Sequence, residues 1–371
     1  MKILFIEPCF KNFGGYFRSI NICRSLAKKN IKVTLLISSD QKFSPIIKKT
    51  IINRNLTQYE LPRWEINFYL NGRILRGLIA AVWGLIGRFD IIHAAVPAQL
   101  ESNIPALILR LSGKKVVFDW DDLLENEISI SPFLRSYSRF CEKFFPKIIK
   151  NYVVVSDLLF NLAQCRGATK IIKIINGVDV HQFKLYPQKK NYNFLTFGNT
   201  YSRDRTRLLL LLFEKIWRQE PRAQLIWNLD PLKLVQQQKL KINPKIINNI
   251  HSVGNIPQKN LGKYIAQSQA ILFMMGNLDS ERACFPIRIG SYLSGEAIII
   301  LNDTNTEVVK TLKHYQCAII DKDLDILASK SVELLHNPKI RQKLQPKINR
   351  AKSELSWDNL ITPLINFYKT L

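Results

Sequence analysis

Asp119-Trp-Asp-Asp122 sets three carboxylates within four residues, directly after the apolar run Lys115-Val-Val-Phe118. If that run is a strand, the acids lie at the carboxyl end of a sheet, where open α/β folds collect their ligands. Such acids can hold the metal ion of a nucleotide diphosphate, touch sugar hydroxyls and a developing positive charge without metal, or simply favour a helix N-terminus. A second cluster, Asn199, Arg203, Asp204, Arg205 and Arg207, follows the apolar run Phe194-Leu-Thr-Phe197. A guanidinium fork there suits a departing diphosphate, whose charge it neutralises as a bond breaks; a solvated basic loop is the plainer reading of any one arginine. The segment from Glu281 to Tyr292 joins an acid, the Phe285-Pro286 turn, Arg288 and Ser291 where a helix starts, and arginine at a helix N-terminus makes an anion site. Gly14-Gly15 falls at another strand-to-helix turn, where missing side chains let a phosphate or an acceptor approach the backbone, or where the chain merely turns.

These residues need elements to hold them. Lys2-Ile-Leu-Phe-Ile6 and Val33-Thr-Leu-Leu-Ile37 read as buried parallel strands, joined by a helix over 17–29 with an apolar stripe at Ile20, Cys23, Leu26 and Ala27. The alternation continues through Ile91-Ile92, a helix over 104–111, and strands at 115–118, 152–155 and 170–175. A polar stretch over 186–193 reads as a linker. Strands at 194–197, 223–227, 270–273 and 297–301, with an apolar helix over 208–217, form a second winding. The expected fold is therefore α/β, with two facing Rossmann-like domains over 1–185 and 193–355 and a helix over 356–371 that crosses back over the junction.

Length agrees, because 371 residues exceed one α/β core and suit two. The chain carries 54 Lys and Arg against 29 Asp and Glu, a net charge of +25, so an anionic partner is expected. The excess is shared almost equally by the two halves rather than held in a tail, and no recognition motif accompanies it, so nucleic acid is not the expected partner. Lys42, Lys48 and Lys49, and Phe144-Phe-Pro-Lys-Ile-Ile-Lys150, mix basic and apolar residues in a way that suits an anionic membrane surface. Gly77 to Gly87 is free of charge over 11 residues, too few to span a bilayer, and reads as a buried crossover helix or as an interfacial one. The six cysteines are scattered, without a Cys-x-x-Cys pair, and the apolar start is too short for a secretory signal. The expected location is cytoplasmic, peripheral on the inner face of a membrane.

The chain resembles the retaining glycosyltransferases of family 4, which have the GT-B fold. The likeness runs through Phe13-Gly14-Gly15, Asp90-Ile-Ile-His93, the Ser156 turn, Ile175-Asn-Gly-Val-Asp-Val180 with Phe183, Gly254-Asn-Ile-Pro257, Phe285-Pro-Ile-Arg-Ile-Gly-Ser-Tyr-Leu293 and the final Leu-Ser-Trp. It implies transfer from a nucleotide-sugar to a glycan, lipid-linked or polysaccharide-precursor acceptor, with retention of configuration and no metal or other cofactor. It implies catalytic roles for Asp119, where the family often has a histidine, and for Glu281, which would face the donor sugar. Donor binding would fall to Gly14, Gly15, Asn199, Arg203, Arg205, Phe285, Pro286, Arg288 and Ser291. The sequence departs from the family's second glutamate, where Ile289 or Ser291 stands, and from its proline after Ser294-Gly-Glu-Ala297. A catalytically silent sugar-nucleotide or glycan-binding relative is the alternative.

Overall fold

The computed structural model describes residues 1–11, 13–41, 43–63, 69–126, 131–183, 192–198, 202–304 and 306–371. Asn199, Lys42 and most of the expected linker lie outside these described residues. The chain divides into two compact units, one made of Met1–Gly177, Ala283–Ile287 and Trp357–Leu371, the other of Val178–Arg282 and Arg288–Ser356.

Unit 1 contains β1 (Lys2–Ile6), α1 (Gly14–Lys28), β2 (Lys32–Ser38), β3 (Lys48–Asn53), β4 (Leu56–Leu61), α2 (Tyr69–Ile86) and β5 (Ile91–Ala95). It continues with α3 (Leu100–Leu111), β6 (Val116–Trp120), α4 (Pro132–Ile148), β7 (Asn151–Val154), α5 (Asp157–Cys165) and β8 (Lys170–Lys173). The sheet order is β3-β4-β2-β1-β5-β6-β7-β8, parallel throughout except for the β3–β4 pair. Helices cover both faces of such a sheet, so β1, β5 and β6 are buried along their length rather than on alternate residues, with His93 and Asp119 enclosed among the apolar side chains. Among the described residues of unit 1, the β3–β4 hairpin departs from the expected alternation. Its outer strand, Lys-Lys-Thr-Ile-Ile-Asn, is mostly exposed at the sheet edge, so no buried run announces it.

Unit 2 contains β9 (Tyr192–Thr196), α6 (Arg203–Gln219), β10 (Leu225–Trp227), α7 (Pro231–Gln238), β11 (Ile250–Ser252), α8 (Gln258–Gln267) and β12 (Ser268–Leu272). Then come α9 (Asp279–Ala283), α10 (Ile287–Ser294), β13 (Ile299–Asn302), α11 (Glu307–Tyr315), β14 (Ala318–Asp321), α12 (Leu324–His336) and α13 (Pro338–Glu354). Its sheet, β11-β10-β9-β12-β13-β14, is wholly parallel among the described residues.

The last helix, α14 (Trp357–Lys369), belongs to unit 1. Trp357, Ile361, Leu364 and Tyr368 fall on one helical face and join Cys23, Leu26 and Ala27 of α1 in the core. Each such side chain, fully buried, contributes about 1.5–3 kcal/mol, which is ample to hold the chain terminus in place. Among the described residues, no helix is long and apolar enough to cross a membrane.

Candidate functional site

Each sheet has one point where the strand order reverses, and open α/β folds bind ligands outside the strand ends at that point. In unit 2 it lies between β9 and β12. There the chain leaves β9 through Phe197-Gly198 and leaves β12 through Phe273 to Gly276. Asn228 holds Gly198 by donating to its carbonyl and accepting from its amide, and Asn302 holds Met275 in the same way.

Two arginines converge on this point. Ser202 caps α6 by accepting from the Arg205 amide, so Arg205 enters in the first turn, buried, with Nε donating to the Met274 carbonyl at 3.0 Å. Arg288, at the start of α10, donates from Nη1 to the Phe197 carbonyl at 2.8 Å, beside the Tyr292 hydroxyl on the same oxygen. Both guanidinium groups lie over the Phe273 ring, at 5.4 and 5.7 Å from its centroid. Glu281, on α9, accepts from Ser202 Oγ at 2.9 Å and stands 3.6 Å from Arg205 Nε. Gly276 makes room for it, because a Cβ there would collide with the Glu281 carboxylate. The result is a buried carboxylate and two arginines gathered on one aromatic ring at the strand ends.

In unit 1 the order reverses between β1 and β5. The expectation that Asp119 follows its strand needs correction, since Asp119 and Trp120 are the last residues of β6 and both are fully enclosed. Arg18 of α1 grips Asp119 with two hydrogen bonds, Nε to Oδ2 at 2.9 Å and Nη2 to Oδ1 at 2.8 Å. It also donates from Nη1 to Asn176 Oδ1 and from Nη2 to the Ile174 carbonyl, so one side chain ties α1, β6 and the chain after β8 together. Asn176 in turn donates from Nδ2 to the Phe285 carbonyl. Burial pushes the Asp119 carboxyl up, but the Arg18 charge and the His93 contact outweigh it and hold the group at about 2. Asp121 goes the other way, driven well above the usual carboxylate range by burial and then by Asp122 and Asp119. The acidic run is thus split into an ionised, arginine-bound member and one that resists ionisation.

His93, within β5, is fully buried, stacked on Phe5 at 4.2 Å, with Nε2 3.4 Å from Asp119 Oδ2 and Nδ1 bonded to the Tyr368 hydroxyl at 2.6 Å. The carboxylate favours the proton on Nε2, which leaves Nδ1 to accept from Tyr368. Burial lowers the imidazole pKa, and Asp119 only partly offsets it. Glu7, just past β1, accepts from the Cys9 amide and from Ser19 Oγ, and burial raises its pKa. A Cβ on Gly15 would stand 3.2 Å from Glu7 Oε1, so glycine lets the first turn of α1 close over this acid, whereas Gly14 faces open space. The α1 N-terminus has no side-chain cap and no acid in its first turn.

Of the residues singled out from sequence, Arg205, Glu281 and Arg288 gather at the unit 2 strand ends. Arg203 is exposed on α6, Ser291 is buried within α10, and Phe285 and Pro286 sit in the short segment that packs with unit 1. Sequence reasoning did not pick out Arg18, Phe273 or Gly276, and it quoted His93 and Asn176 without giving them a place in the site. For Arg18 a signal existed: it shares a four-residue spacing with the buried Ile22 and Leu26, which puts a charge on an apolar stripe. Gly276 offers none, because the need for glycine arises from Glu281 folding back onto it.

No protein-family model matches this chain, and no curated protein matches it. Solved structures do. A sucrose-phosphate synthase from Thermosynechococcus elongatus superposes with a TM-score of 0.72 at 14% identity, over 100% of this chain and 98% of that one. A UDP-forming α,α-trehalose-phosphate synthase from Burkholderia vietnamiensis gives 0.68 at 11% identity, over 100% and 98%. WaaG, a glycosyltransferase of lipopolysaccharide biosynthesis, gives 0.66 at 12% identity, over 99% of each chain. At such identities the likeness shows the fold: two parallel-sheet α/β units of the GT-B type.

Proposed function

We propose that this protein is a glycosyltransferase that moves a sugar from a nucleotide-sugar to a hydroxyl group of a glycan, lipid-linked or polysaccharide-precursor acceptor. The observation that carries the reading is the convergence of Arg205 and Arg288 over Phe273, beside Glu281, at the unit 2 switch point. The similar structures support it in general terms, since their names describe transfer of sugars, in one case with release of UDP.

In this reading the two guanidinium groups take the diphosphate of the donor. As the bond from the anomeric carbon to the phosphate oxygen breaks, the electron pair leaves with the diphosphate and the arginines balance its charge. The acceptor oxygen forms the new bond on the same face of the sugar, which retains configuration, and its proton passes to the departing phosphate oxygen. Glu281 accepts hydrogen bonds from hydroxyl groups of the donor sugar. Asp119 does not touch substrate; it is a positioning residue that fixes Arg18. The reading calls for no metal.

Calorimetric titration with uridine, guanosine and adenosine diphosphates and their sugars, without added metal, tests this directly. One base should bind, and Arg288→Ala should weaken it by roughly 10- to 100-fold, the worth of a charge-assisted contact. A wild-type protein that binds none of them would overturn the reading. Binding without turnover on any acceptor would favour the silent alternative.

A further inference from the structure

Of the large apolar side chains exposed among the described residues, all but Leu232 and Ile326 belong to unit 1. Many of them lie on α2, and that helix is built inside out. Its inward face carries small residues and a buried charge: Ala80 and Ala81 are buried, a Cβ on Gly77 would stand 3.0 Å from the Leu100 carbonyl and one on Gly84 2.5 Å from Leu109 of α3, and Arg76 is buried against Glu101 at 2.7 Å. Its outward face carries Ile74, Leu78, Val82 and Ile86 at a strict spacing of four, with Leu85 beside them, and Ile86 is 78% exposed. Every exposed residue described on α2 is apolar, and the helix has no acid at all. A water-facing helix shows the opposite pattern.

The adjoining helices continue this face. α3 packs on α2, ends in Leu111 at 77% exposure beside the exposed Arg110, and is joined to α4 by Asn103 Nδ2 donating to the Tyr137 hydroxyl at 2.7 Å. On α4, Phe140 and Phe144 stack at 5.2 Å and Phe133 is 72% exposed. The neighbouring row of the same helix, Arg139, Lys143 and Lys147, is exposed and basic, while its one acid, Glu142, is turned inward and buried. The earlier expectation centred on Phe144 to Lys150 needs adjusting, because Phe145, Pro146 and Ile149 face the core; the basic and aromatic surface runs along α4 from Phe133 instead.

We infer that the outer face of α2, α3 and α4 lies against an anionic lipid surface, the apolar stripes entering the acyl boundary and the basic row meeting the headgroup phosphates. The charge chooses the occupant. A second copy would bring the same arginine and lysine row, on a chain of net charge +25, against its own image. A specific protein partner exchanges hydrogen bonds across its contact, and the exposed stripe of α2 offers no polar side chain for them, whereas an acyl boundary asks for none. The inference stands on this surface alone and is independent of the proposed transfer.

Sedimentation with phosphatidylcholine vesicles, with and without phosphatidylglycerol, tests it on the full chain. The wild type should pellet with the vesicles containing phosphatidylglycerol and stay in solution with the others. Arg139→Glu, Lys143→Glu and Lys147→Glu together should lower the partition by at least roughly 100-fold, from the contribution of each basic residue near such a surface. Leu78→Ser with Val82→Ser should lower it by roughly 10-fold or more through lost apolar burial. Leu232→Ser with Ile326→Ser, in unit 2, should change nothing. Hydrogen exchange on the wild type with vesicles should show new protection on α2 and α4, a readout that no misfolded variant can disturb. Equal pelleting with both vesicle types, unchanged pelleting of the α2 and α4 variants, protection elsewhere, or loss of a concentration-dependent dimer in the α2 variant would each overturn the inference.

Discussion

At the scale of the residue, the structure turns on charges placed where water does not reach. Arg18 and Asp119 are both almost wholly enclosed, and removing one partner of such a pair leaves the other charge unpaired. Arg18→Met should therefore cost about 3–5 kcal/mol of unit 1 stability in denaturant titration, and a smaller loss would show that water enters the site. His93 and Glu7 set opposite pH trends. The folded pKa of His93 lies below its ordinary 6.5, so its contribution is complete above that pH and is lost as pH falls through the lowered value. Thermal melts should show the midpoint dropping as pH is taken below 6.5, and His93→Gln should flatten that drop. The Glu7 carboxyl is raised above 4.5, so its contribution is present below that pH and is lost on going up. Glu7→Gln should accordingly raise the neutral-pH midpoint, and a lowered one would mean that Glu7 is held as a carboxylate. In unit 2, Gly276→Ala should leave the fold intact but displace Glu281; on the proposed reading, turnover should fall by about 100-fold while diphosphate affinity changes little.

At the scale of the element, helix boundaries do the positioning. Ser202 and Ser156 cap α6 and α5 through their side-chain oxygens, and the first of these caps delivers Arg205 to the strand ends. α14 reaches His93 through Tyr368 and packs on α1, so the chain terminus supports the centre of unit 1. Tyr368→Phe removes one buried hydrogen bond and should cost about 1 kcal/mol by chemical denaturation, with no change in diphosphate affinity. Much of this was readable in advance. The strands over 2–6, 33–37 and 91–92 and the α1 stripe follow from continuous apolar runs and helical spacing. The β3–β4 hairpin was not readable, since a half-exposed edge strand has neither period clearly. The inverted burial of α2 was also hidden, because an apolar stretch with glycines reads the same whichever face turns inward.

At the scale of the whole molecule, the positive charge is spread over both units, so it sets a general attraction to anions rather than a localised site. Filter binding of nucleic acid should show weak retention that disappears by about 0.2 M salt and does not compete with nucleoside diphosphate; tight, salt-steep retention would reverse the choice of partner. The sequence by itself determined that there are two α/β windings, where each begins, that Arg205 follows a strand and that Arg288 opens a helix, because burial periodicity and strand-to-helix turns are local properties of the chain. Only the tertiary structure decided which of those residues meet. Glu281 reaches Ser202 across 79 residues and Arg18 reaches Asp119 across 101, and nothing local records such pairings. The same physics encloses Asp119 and binds it to Arg18. A carboxylate near the end of a strand looks alike in sequence whether it faces solvent or a buried arginine, and the reach of Arg18 from α1 to Asp119 is recorded only in the tertiary structure.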